Sequence, residues 1–154
     1  MFKKQGCDEI DFLISFNLGE KKQSLSKVAS GGEMSRVMLA IKTHILTSLN
    51  LSTMIFDEID TGVSGIVANK VAEKLKEISK TTQVLSITHL PIVASFADHH
   101  LLIQKEFTSD RTRTIVKNLN KEERINELAI MISPNDQSNK SVELAKMMLE
   151  NSQK

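Results

Sequence analysis

The sequence contains no tryptophan and no tyrosine, a single cysteine and two prolines in 154 residues. The lone Cys7 excludes an internal disulfide framework and fits a reducing compartment. No apolar run approaches the ~20 residues that a bilayer-spanning helix needs, so no membrane partner is expected. The start, Met1-Phe2-Lys3-Lys4-Gln5, lacks the apolar run of a secretory signal, and a cytoplasmic location is expected. An excess of one charge sign is also missing. The formal net charge of +1 provides no overall field for nucleic acid. Arg111, Arg113, Lys117, Lys121 and Arg124 have acidic neighbours in Asp110, Glu122 and Glu123 and no interleaved Trp or Tyr, so a solvated face is expected there. Finally, no G-x-x-x-x-G-K-[ST] loop occurs, so the chain has no cradle of that kind for a nucleotide.

What is present describes an ordinary domain. Hydrophobic content of 40% and charged content of 25% suit a globular chain long enough for a real core. Phe12, Ile14, Phe16 and Leu18 alternate with other residues and predict a strand with one strongly apolar face. From Ser30, apolar residues recur at helical spacing (Val37, Met38, Ile41, Ile45, Leu46, Leu49), predicting a helix to about Leu49. Two short apolar runs, Thr53–Phe56 and Val84–Thr88, suit buried strands. Between them lie a loop with two glycines, Asp60–Gly65, and a helix with Val67, Val71, Leu75 and Ile78 on one face. Pro91 suits the first turn of a short helix carrying Ile92, Val93 and Phe96. Leu101–Ile103 and Thr112–Val116 read as a hairpin around Thr108–Asp110, and two amphipathic helices close the chain. Alternating strands and helices predict an α/β layer structure with a mainly parallel sheet flanked by helices.

Three short motifs carry chemistry. Ser30-Gly31-Gly32-Glu33 is a capping box by type, yet a cap needs neither glycine, and each glycine costs up to about 1 kcal/mol against alanine in a helix. A helix start with bare N–H groups is also a phosphate seat, and the two readings explain the motif about equally. Asp57-Glu58 directly follows an apolar run. Solvated acids at a strand end are common, but ligands in open α/β sheets bind beyond the carboxyl ends of strands. There Asp57 suits a magnesium ligand acting through water, and Glu58 suits orienting or deprotonating an attacking water. His89 ends the next run in the same manner and so shares that rim, as a phosphate contact. His44, His99 and His100 carry no such coincidence, and the adjacent His99 and His100 point to opposite faces.

These motifs resemble those of ABC-type ATPases, in the RecN-like family of their SMC-like branch. Val28-Ala29-Ser30-Gly31-Gly32-Glu33-Met34-Ser35-Arg36 is similar to the signature motif, and Ile55–Gly65 to the Walker B motif and D-loop. Val84–His100 is similar to the switch-histidine region. Ala29 and Ser64 depart from the general ABC pattern, where leucine and aspartate are common, but match the RecN-like variety. The resemblance implies that 1–154 is a single C-terminal lobe of a nucleotide-hydrolysing head, with the P-loop lobe and coiled coil absent from it. It implies ATP and Mg2+ as ligands of the complete head, acting in recombinational repair of DNA double-strand breaks. Ser30, Gly31, Gly32 and Glu33 would meet the phosphate of a partner head, and Asp60 and Ser64 would belong to the D-loop between heads. Asp57 would assist Mg2+, while Glu58 and His89 would be catalytic. The implied partners are the missing P-loop lobe, a second head in a homodimer, and DNA through the complete protein, with no membrane. Without the P-loop, the chain alone is expected to be inactive. Rival expectations are half of another SMC-like or transporter ATPase, and a non-catalytic module that docks on a head.

Overall fold

A computed structural model describes residues 6, 10–15, 18–27, 34, 36–41, 51–57, 59–107, 111–135 and 139–152. Two short strands, β1 (Leu13–Ile14) and β2 (Gln23–Ser24), pair antiparallel, and a 3-10 turn (Leu25–Lys27) follows. Residues 36–41 are helical (α1). Then come β3 (Thr53–Phe56), α2 (Gly65–Ser79), β4 (Gln83–Ser86) and α3 (Pro91–Ser95). A hairpin of β5 (Leu101–Phe107) and β6 (Thr112–Asn118) leads to helices α4 (Lys121–Ile132) and α5 (Asn139–Ser152).

The architecture is mixed α/β, and the expected mainly parallel sheet is corrected. Only β3 and β4 are parallel among the described residues; the other two sheets are antiparallel pairs. Chain length decides this. A parallel crossover needs a dozen or more residues, which α2 supplies between β3 and β4. The segments joining β1 to β2 and β5 to β6 are shorter and permit only a reversal.

The main core lies on one face of the parallel pair. Met54 and Phe56 of β3 pack with Leu39, Ile59, Val71, Ala72, Leu75, Ile78 and Val93. The predicted apolar face of α2 is rotated, because Val67 is half exposed and Ala68 is buried in its place. Residues 68, 71, 72, 75 and 78 keep the i, i+3, i+4 spacing that fits a helix against a sheet. Neither strand is covered on both faces as the apolar runs suggested. Ile55 is 65% exposed, and Leu85 and Ile87 beside it are also exposed.

The alternation from Phe12 to Leu18 likewise gives no packed face among the described residues. Only Leu13–Ile14 is extended, Phe12 is exposed, and Leu18 sits fully exposed in a turn; Phe16 lies outside the described residues. A two-residue strand paired to one neighbour presents no surface wide enough to bury them. A second cluster (Ala94, Leu128, Ala129, Ala145, Leu149) joins α4 and α5, the two expected amphipathic helices, to α3. Among the described residues no helix is long and apolar enough to cross a membrane.

Candidate functional site

β3 and β4 end side by side, and the Phe56 carbonyl accepts the Ile87 N–H at 2.9 Å just past the paired residues. Asp57 follows immediately and is exposed at that end. The chain then turns inward. Ile59 is fully buried, and Asp60 is only 2% exposed although it is an acid.

The Asp60 carboxylate gathers the segment that follows β4. Its Oδ2 accepts the His89 N–H at 3.0 Å and the Thr88 hydroxyl, and lies 3.3 Å from His89 Nδ1. Thr88 Oγ1 in turn accepts the Leu90 N–H at 3.1 Å. Burying a carboxylate is costly unless donors replace its water, and these groups supply them. The His89 ring itself stays 70% exposed. Strand alternation sets this arrangement: Val84, Ser86 and Thr88 face the core side, whereas Leu85, Ile87 and His89 face out.

The loop after Asp60 is fixed at both ends. Val63 N–H reaches the Asp60 carbonyl at 3.4 Å, with Gly62 at φ +71 in between. Ser64 is extended and Gly65 opens α2 at φ +54, a conformation that side chains other than glycine adopt at a cost. The Ser64 hydroxyl makes no capping bond with the helix it precedes. Arg36, on α1, donates to the Thr61 carbonyl at 2.7 Å and ties the signature-like segment to this loop.

α3 follows His89 directly, with Pro91 in its first turn. The carbonyls at its other end accept from the Arg124 guanidinium, Ala94 at 3.0 Å, Ser95 at 2.9 Å, and Ala97 as well. The Ser152 hydroxyl adds a bond to the Ser95 carbonyl at 2.8 Å. Arg124 was expected on a solvated face; instead it closes the unsatisfied end of a short helix. Burial lowers its pKa, opposed by the charge of Asp98, and a guanidinium remains charged under these conditions. His100 packs nearby, its Nδ1 buried without a partner among the described residues. Burial first, and the Arg124 charge second, lower its pKa.

Asp57, Asp60 and His89 therefore lie at one end of the parallel pair, with Asp60 and His89 in contact; Ser64 follows on the same loop. Ser30, Gly31, Gly32, Glu33 and Glu58 lie outside the described residues, as does His44. Thr88, Arg124 and Ser152 were not singled out for these roles from the sequence. The period-2 pattern of Val84–His89 carried the signal for Thr88; nothing local marks Arg124 or Ser152. No group of three or more His, Cys, Asp or Glu among the described residues suits a metal. Mg2+ commonly takes one or two carboxylates with water and phosphate oxygens, so Asp57 fits as a single ligand and not as part of a closed cage.

Comparison with known proteins adds an independent finding. The chain is 55% identical over 130 residues to the DNA repair protein RecN of Bacillus subtilis (strain 168), covering 84% of this chain and 23% of the relative. RecN of Halalkalibacterium halodurans is 46% identical over 149 residues, covering 97% and 26%. RecN of Treponema pallidum (strain Nichols) is 43% identical over 144 residues, covering 94% and 25%. This chain is homologous to RecN. It spans about a quarter of the length of the RecN relatives it matches. No protein-family model matches the sequence. A solved structure from work on ATP-driven dimerization and DNA-stimulated activation of SMC ATPases superposes with a TM-score of 0.52 at 22% identity, covering 79% of this chain and 70% of that one. The RecN-homologous chain thus shares the fold of an SMC ATPase.

Proposed function

We propose that this chain is the C-terminal lobe of an ATP-hydrolysing head in a RecN-type protein that acts in recombinational repair of DNA double-strand breaks. The observation that carries the reading is the placement of Asp57 and His89 at the same carboxyl end of β3 and β4, in a chain homologous to RecN. In the complete head, Asp57 would help to hold Mg2+, which supplies charge to the phosphates when bound. Glu58 would orient the attacking water, and His89 would contact the terminal phosphate. Ser30, Gly31, Gly32 and Glu33 would meet the phosphate held by a second head, with Ser64 at the head–head loop. The P-loop would come from the remaining part of the protein. The bare face of β3 and β4, with Ile55, Leu85 and Ile87 exposed, supports a covering lobe on that side. DNA would be engaged by the complete protein.

The test is reassembly. This chain is mixed with a separately produced P-loop lobe of Bacillus subtilis RecN, and ATP hydrolysis is measured. Neither part alone should turn over ATP, and the mixture should. Glu58→Gln should leave ATP binding in place and slow turnover by about 10²- to 10⁴-fold. Hydrolysis by this chain alone, or an unchanged rate in Glu58→Gln, would overturn the reading.

A further inference from the structure

We infer that Asp60 is a positioning residue for His89: it holds the imidazole with Nδ1–H directed inward and Nε2 directed outward. The inference begins with an anomaly. An aspartate in a loop between two heads is expected to be exposed, yet Asp60 is 2% exposed and turned onto its own chain. Among the described residues, each contact of its carboxylate leads to the segment after β4: the Thr88 hydroxyl, the His89 N–H at 3.0 Å and His89 Nδ1 at 3.3 Å. A single oxygen thus accepts the backbone N–H of one residue and faces a ring nitrogen of the same residue.

The chemistry of the acceptor fixes the proton. An ionised carboxylate only accepts, so the imidazole nitrogen facing it must be the one that carries hydrogen. The hydrogen bond at one ring nitrogen determines the state of the other. With Nδ1–H turned toward the Asp60 carboxylate, a neutral His89 presents a lone pair at Nε2, and a doubly protonated ring presents an N–H there. Nε2 becomes the atom that can reach a ligand, while the ring's mostly exposed edge leaves room for one. Thr88 completes the device, because its hydroxyl donates to Asp60 and accepts the Leu90 N–H at 3.1 Å. The carboxylate of one loop thereby sets both the path of the other loop and the direction of its imidazole. What Nε2 would meet rests on the ATPase reading above; the orientation of the ring does not.

The experiment is nitrogen-15 NMR of the imidazole in this chain at about pH 8, above the ordinary histidine range. The expected result is that His89 carries its proton on Nδ1. Asp60→Asn should shift it toward the Nε2–H form, and Thr88→Val should leave the Nδ1–H form dominant. A wild-type His89 protonated on Nε2 would overturn the inference, and this measurement needs no variant to fold. An unchanged tautomer in folded Asp60→Asn would overturn it too. In the reassembled head, Asp60→Asn should lower kcat by up to about 10²-fold with a smaller change in KM for ATP. An unaltered kcat removes Asp60 from the positioning role. Absence of hydrolysis in the wild-type mixture refutes the ATPase reading while leaving the tautomer result standing.

Discussion

β5 and β6 pair over seven residues each, whereas β3 and β4 pair over four, yet the shorter pair carries the core. Among the described residues of β5 and β6 only Leu102 is even partly buried, and Phe107 is 77% exposed. In the parallel pair, Met54 and Phe56 are buried under α2 and its neighbours. Backbone pairing and burial are therefore separate achievements. A hairpin closes through a short local turn; a parallel pair must wait for a helix to cross over, and that helix arrives with an apolar face. The same crossover leaves the loops at the carboxyl ends close together, which is where Asp57, Asp60 and His89 sit. The main core and the candidate chemistry are found in one region because one connection creates both.

The sharpest way to break this comparison is to cut into the core. Ile78→Ala should cost about 2–5 kcal/mol, read as a lower midpoint in urea unfolding. A cost near zero would mean that α2 does not hold the parallel pair in place. Arg124→Met should cost about 1.5–3 kcal/mol, since it removes charged bonds to the Ala94 and Ser95 carbonyls. Asn120→Ala tests the hairpin's exit, where Asn120 and Glu123 bond each other's backbone at 3.0 Å in a capping box. A loss of about 1 kcal/mol is expected.

A smaller effect should follow pH. His100 has a lowered pKa, so on acidification the unfolded chain takes up a proton before the folded one does. Its contribution is present above the ordinary value of about 6.5 and is lost as pH falls below it. Melting at about pH 7.5 and about pH 5.5 should show a smaller acid loss for His100→Gln than for wild type. Equal losses would remove His100 from the acid response. The smallest change should come from the exposed strand. Ile103 pairs with Val116 and both are exposed, so Ile103→Thr should cost no more than about 1 kcal/mol. A loss comparable with Ile78→Ala would mean that the hairpin belongs to the core after all.

Much of this was legible beforehand. The short helix begins at Pro91, two amphipathic helices close the chain, and the two strands read as a hairpin pair antiparallel, while the Thr108–Asp110 triplet expected at its turn lies outside the described residues. The errors share a cause. The sheet was extrapolated to mainly parallel from strand–helix alternation, though two of the three pairs have connections too short to cross over. Helical spacing puts Val67 on one face with Val71, Leu75 and Ile78, whereas helix rotation against the sheet selects Ala68. Arg124 was read among its charged sequence neighbours; its acceptors lie 27 to 30 residues away.

By itself the sequence determined the local elements, since periodicity, proline, glycine and turn chemistry act within a few residues. It also determined which chemical groups follow each strand. Only the tertiary structure decided that Asp60 faces its own histidine and that Arg124 closes α3. Those outcomes depend on which buried polar groups remain unsatisfied once distant segments meet, and burial makes leaving them unpaired costly.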